Sequence, residues 1–329
     1  MKTHIHKNYY DSLDLIVLEN EKLKVSFLNL GARLYQLFAP DRSGASENIL
    51  LSHDEPLDVL KDQAFFGAVV GPVAGRTREG KWGAVQLEQN EGKHHIHGGS
   101  QGWSFQYWDY QTFQEIDRVG VRFSLTDNLS GYPGPITVAA TYELTKDTLL
   151  MKMTYQTAAH TLINPTNHAY FNLSGNGKRD IDAQLLQIQA KQRVVTDNDK
   201  LPTGELQNVQ GTPFDFTTSK PLSHFLKEVS QGLDDVFILD TVPAQLLLSD
   251  PVSGRRMEIT TSRQSVVVFS TTDFNASFIV NGRPMHSNYG IALETQEIPD
   301  LVHHPQWGSI DYTSDSLPEH RTTYRFTTE

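Results

Sequence analysis

Apolar and polar positions alternate with a period of two along most of this chain. The pattern runs through 23–40 (LKVSFLNLGARLYQLFAP), 118–125, 136–144, 149–158, 257–262 and 265–271. These segments are rich in β-branched and aromatic residues, so each predicts strand rather than helix. Turn-forming clusters such as DRSG, DNLSGYPGP and DPVSGRR separate them. Helical spacing is confined to two short stretches, 54–62 and 221–229. The strand–helix rhythm of a parallel α/β sheet is missing, as are fixed-period repeats and low-complexity linkers. The pattern predicts an all-β chain, one large antiparallel β-sandwich domain spanning 1–329 with few short helices.

One segment breaks the usual division into wet and dry faces. In NPTNHAYFNLSG (164–175) a strand would place Asn164, Thr166, His168, Tyr170 and Asn172 on one face. Solvated strand faces are usually richer in Lys, Glu and Thr. Short, neutral groups that both donate and accept suit a ligand made of hydroxyls.

Composition narrows the partner. The 329 residues carry 39 acidic and 28 basic side chains, a formal charge of −11. Phosphate backbones and anionic membranes are bound through Lys and Arg, so neither nucleic acid nor a membrane surface is the expected partner. No apolar run approaches the ~20 residues that span a bilayer. The N-terminal MKTHIHKNYYDSLDLI lacks the apolar stretch of a secretory signal, and the expected location is cytoplasmic. With no cysteine, disulfides, thiol catalysis and thiolate zinc sites are excluded.

Further segments carry candidate chemistry. In HHIHGGSQGW (94–103), His95 and His97 would share a strand face. Such a pair can chelate a metal, but glycines and Ser100 follow where a carboxylate ligand would be needed, so a polar-ligand contact from His97 is favoured. The glycines after it let a ligand or another backbone approach closely. In ALETQEIPD (292–300), Glu294 shares a face with Gln296; a buried carboxylate there would need partners. GPVAGRTREGKW (71–82) offers Arg76 and Arg78, of which Arg78 better suits a surface salt bridge. In GLDDVFIL, the paired Asp234 and Asp235 suggest a cation, or one ligand-facing acid beside a surface one. Trp103, Trp108, Phe274 and Trp307 could stack on a ligand's C–H face, though packing is the commoner use of such rings.

Taken in order, LGARL (30–34), the Arg76 loop, IHGGSQGW, SGYPGP, NHAYFNLSG, LPTGEL, TPFDF, GLDDVFIL, ETQEIPD and TTYRF resemble the galactose mutarotase (aldose 1-epimerase) family. The resemblance implies a supersandwich fold and an isomerase of free sugars working without metal or cofactor. By motif position His168 matches the family's general acid and Glu294 its general base. His97 matches a sugar contact near the reacting end, and Arg76 and Asp234 match hydroxyl-holding residues. The partner is then a mono- or disaccharide, with the protein a monomer or homodimer. Alternatives are a hexose-6-phosphate 1-epimerase, a non-catalytic sugar-binding protein on the same scaffold, or a metal-dependent protein using His95 and His97. An anionic Glu294 near His168 would favour a protonated imidazole. Five features depart from the family pattern: Pro72 for Arg, Gly75 for Asn, Asp235 for His, Val267 near a substrate-binding Gln, and PDLVHH for the usual tail. They leave the identity of the sugar open.

Overall fold

The computed structural model describes residues 1–313 and 319–329. Three antiparallel sheets account for most of the fold. Nine strands form the largest, in the order 109–114, 119–127, 136–144, 148–157, 319–328, 255–261, 246–249, 185–188 and 220–221. Six strands form the second, in the order Tyr170–Phe171, Ile291–Gln296, Ser265–Ser270, Asp234–Ile238, Gln192–Thr196 and Pro202–Asn208. Five strands between residues 2 and 48 form the third in simple sequence order.

Period-two patterning is what lets two of these sheets share one interior. Phe123, Val138, Tyr142, Met153, Ile259 and Phe326 project from the nine-stranded sheet into a contiguous buried core. Val266, Val268, Ile291 and Leu293 reach the same core from the six-stranded sheet. Their alternate neighbours Val267, Phe269, Glu294 and Gln296 therefore face the other way, into a cavity.

Several local expectations change. Segment 23–40 is a hairpin rather than one strand: Lys24–Leu28 pairs with Arg33–Pro40, and the chain turns where Gly31 and Ala32 adopt left-handed φ of 69° and 45°. The strands Lys2–Tyr10, Leu13–Glu19 and Asp109–Gln114 lie outside the segments singled out by alternation. The first of them is exposed at eight of its nine positions, so no buried face imposed a pattern on it. Residues 222–228 form an α-helix as expected, whereas 56–61 tighten into a 3₁₀ turn. No helix among the described residues is long and apolar enough to cross a membrane.

The segment 164–175 is also not a continuous strand. Thr166–Asn167 pairs with Val69–Val70, and Tyr170–Phe171 pairs with Ile291–Ala292. Every residue from 164 to 173 is buried, so neither face is wet. Most of its polar groups satisfy backbone. Asn164 donates to the carbonyl of Glu297 and accepts from its N–H. Thr166 donates to Thr295, and Asn172 to Arg179 and Tyr289. Buried loops need such partners for their main chain. His168 and Tyr170 are the members of the segment that open onto the cavity.

Candidate active site

The cavity has a volume of about 360 Å³, within the range of small-molecule sites. Its floor is the outward face of the six-stranded sheet, and its walls are the loops around Phe65, Gly75 and His97. All five residues singled out from the sequence, Arg76, His97, His168, Asp234 and Glu294, line it. They come from five separate segments, brought together by strand pairing.

His168 and Glu294 form the deepest pair. Glu294 lies mid-strand, in register with Val267. His168 sits between the two short pairings of its segment, held by its N–H to the Ala68 carbonyl and by its own carbonyl to the Gly67 N–H. Nε2 of His168 lies 3.4 Å from Oε1 of Glu294. Nδ1 of His168 and Oε2 of Glu294 have no hydrogen-bond partner within the protein. Burial dominates the acidity of both. It pushes the Glu294 carboxyl up to about 8, with the Asp234 charge adding and the Arg76 charge opposing. It pushes His168 down to about 4. Burial thus works against the expectation that Glu294 would hold His168 protonated: it favours the uncharged form of each group, and so a pair that shares one proton without net charge.

His97 stands in the left-handed region, φ 54°, so it does not share a strand face with His95. Its Nδ1 accepts from the Gly75 N–H at 3.2 Å, which places its own proton on Nε2. Burial, then the His168 and Arg76 charges, hold it well below the usual histidine range, so it is a neutral donor. Gly98 is needed by the scaffold, since a Cβ there would lie 1.9 Å from the Gly71 carbonyl oxygen. It is a neighbouring backbone, not a ligand, that approaches this glycine. His95 is fully buried, with Nδ1 on the Glu88 carbonyl and Nε2 receiving the Tyr132 hydroxyl. Both nitrogens are engaged, so His95 and His97 are not arranged as a chelating pair. Among the described residues no cluster of three or more His, Asp or Glu is placed to hold a metal.

Arg76 is clamped by Glu91 through two bonds of 2.7 and 2.8 Å, and its other terminal nitrogen lies 3.9 Å from Asp234. Sequence reasoning missed Glu91, because nothing local marks an acid in EGKHH as an arginine's partner. It also missed Phe65, whose ring packs on His97 at 4.9 Å and His168 at 5.9 Å between centroids. Phe65 has φ 59°, an unusual conformation for a bulky residue. Asp235 is not a surface acid. It is buried and bound to Arg193 at 2.6 Å, away from the cavity. Of the candidate rings, Phe274 lines the cavity, Trp103 and Trp108 are core, and Trp307 stacks on His304. Arg78 is tied to Asp300 and Asp197. Two of the departures from the family pattern, Gly75 and Val267, line the cavity; Pro72 and Asp235 do not.

The aldose 1-epimerase family model matches residues 14–325. The chain is 32% identical to an aldose 1-epimerase of Streptococcus thermophilus, over 88% of this chain and 87% of that one. It is 32% identical to a galactose mutarotase of Bos taurus, over 94% and 92%. The solved structure of a galactose 1-epimerase from Lactobacillus acidophilus superimposes with a TM-score of 0.88 at 29% identity, covering 99% of both chains.

Proposed function

Because this chain belongs to the aldose 1-epimerase family, we propose that it interconverts the α and β anomers of a free aldose by opening and reclosing the hemiacetal ring. The observation that carries the reading is the buried His168–Glu294 pair, 3.4 Å apart in a cavity, with unpartnered nitrogen and oxygen atoms.

The chemistry needs one proton removed and one supplied. Glu294 takes the proton of the C1 hydroxyl. The O1 electrons form the aldehyde, the bond from C1 to the ring oxygen breaks, and His168 protonates that oxygen. The aldehyde rotates about C1–C2. His168 then takes the proton back, the oxygen attacks the opposite face of C1, and Glu294 returns its proton to O1. Each positioned transfer of this kind contributes roughly 10²–10⁴-fold. The neutral pair and the ion pair differ only in where their one proton sits, so the sugar's oxygens can select the charged form without uptake from solvent. His97 donates from Nε2 to a sugar oxygen, while Arg76 and Asp234 hold hydroxyls at the other end.

The free sugar is favoured over a sugar phosphate. Arg76 is already paired with Glu91, Asp234 adds a carboxylate, and the other lining cation is the exposed Lys200, so among the described residues no cluster of cations is built for a phosphate. Retention of both the acid and the base favours an enzyme over a sugar-binding protein. Polarimetry of freshly dissolved α-galactose, α-glucose and maltose is the test. Acceleration over buffer is expected with at least one sugar; saturable binding without acceleration would support the binding protein instead.

A further inference from the structure

Along the cavity floor, Glu294 is in register with Val267, and Val267 with Val236. In the adjacent row, Ala292 is opposite Phe269, and Phe269 opposite Asp234. Neighbouring strands lie about 4.8 Å apart. The proton-transfer end at Glu294 and the hydroxyl-holding end at Asp234 therefore sit at opposite corners of a sheet patch. Its middle is Val267 and Phe269, with Val236 at a third corner, all lining the cavity. On the other flank of Glu294 the floor is polar. Gln296 lines the cavity there, fully buried, with neither amide atom hydrogen-bonded within the protein.

Resting on the epimerase reading, we propose that Val267, beside Phe269, determines specificity, selecting an aldopyranose that turns a C–H bond rather than a hydroxyl onto this strip. A ring gripped at both corners must cross Val267 and Phe269. Any hydroxyl directed at them loses its water and meets no donor or acceptor. A C–H bond there keeps dispersion contact and strands nothing. The substrate class is a sugar that is deoxygenated, or of the opposite configuration, at the one ring position above the strip. On the Gln296 flank a hydroxyl finds both a donor and an acceptor. An apolar surface rejects an added hydroxyl by up to about a hundredfold, and that sets the size of the effect.

The test is kcat/KM for anomerisation of glucose, galactose and their 2-, 3-, 4- and 6-deoxy counterparts, with the wild type, Val267→Gln and the shape-conserving Val267→Thr. Thermal unfolding checks that the variants are folded. At one ring position the wild type is expected to turn over the deoxy sugar at least as well as its parent. Val267→Gln should reverse that ratio by roughly tenfold or more, Val267→Thr by less, and the ratios at the other positions should stay within about twofold. Loss of kcat/KM on deoxygenation at every position, or an equal effect of the variants on all sugars, overturns this proposal alone. No acceleration with any sugar overturns the epimerase reading and this inference together.

Discussion

Asp62 and Glu294 are both buried carboxyls beside a nitrogen base, and their acidities move in opposite directions. Asp62 lies 2.5 Å from Arg33, with both side chains 1% exposed. Glu294 lies 3.4 Å from His168, at 4% and 6% exposure. Burial alone would raise both. The permanent Arg33 charge, with the His53 imidazole at 3.6 Å adding to it, overrides burial and holds Asp62 at about 2. At Glu294 the Arg76 charge is outweighed by burial and the Asp234 charge, and the carboxyl rises to about 8. Arg33 also donates to the Phe66 carbonyl, and Asp62 accepts from the Ala64 N–H, so that pair braces the loop carrying Phe65. A guanidinium cannot give up its proton near neutral pH and makes a brace; an imidazole can, which suits it to the proposed proton relay.

The sharpest way to break this comparison is to remove each carboxylate in turn. Glu294→Gln is expected to lower kcat for anomerisation by roughly 10²–10⁴-fold, while its unfolding midpoint in urea stays at or above the wild-type value, because a group that is costly to bury has gone. Asp62→Asn is expected to do the reverse. Stranding the buried Arg33 charge should destabilise the fold by about 3–5 kcal/mol, and the protein that remains folded should keep most of its kcat. Replacing both partners with apolar residues, Arg33→Met with Asp62→Leu, should recover most of that stability. Failure of the double variant to recover would mean the pair does more than brace.

Acidity separates the pairs next. Asp62 has a depressed folded pKa, so its contribution is present above the unfolded value near 3.8 and is lost as pH falls toward about 2. It amounts to about 2 kcal/mol, and Asp62→Asn should abolish that part of the acid-unfolding curve. The relay responds at other pH values. The pair holds its single transferable proton between about 4 and 8. Anomerisation should therefore show a bell-shaped profile, losing its base on the acid side and its acid on the alkaline side. A flat profile from pH 5 to 10 would show that proton supply does not come from this pair.

The difference between brace and relay was only partly legible in the sequence. Alternation marked strands with a face in the core, which is why 136–144 and 265–270 were readable and the exposed strand 2–10 was not. His168 and Glu294 were found through the motifs NHAYFNLSG and ETQEIPD, which are local. Arg33 and Asp62 lie 29 positions apart, and neither motif nor spacing joins them. The sense of the pKa shifts was misjudged for a related reason. Charge partners can be guessed from motifs, whereas desolvation depends on how completely 164–173 and 291–296 are covered, and that is a property of the assembled sheets.

Arg76 and Glu91 supply the intermediate case and the smallest expected effect. Their geometry is good, two bonds of 2.7 and 2.8 Å, but the side chains are 22% and 40% exposed. Water screens such a pair, so its contribution is that of an exposed ion pair, roughly 0.2–1 kcal/mol. In the proposed mechanism Glu91 does not touch the proton in flight; it orients the Arg76 fork assigned to a sugar hydroxyl. Glu91→Gln should therefore raise KM by about two- to fivefold and leave kcat and the pH profile where they were. Arg76→Lys should raise KM further, because one ammonium cannot reproduce the planar fork. If Glu91→Gln instead lowered kcat tenfold at unchanged KM, Arg76 would belong with His168 and Glu294 as part of the proton path. Burial would then no longer separate the pairs that hold from the pair that reacts.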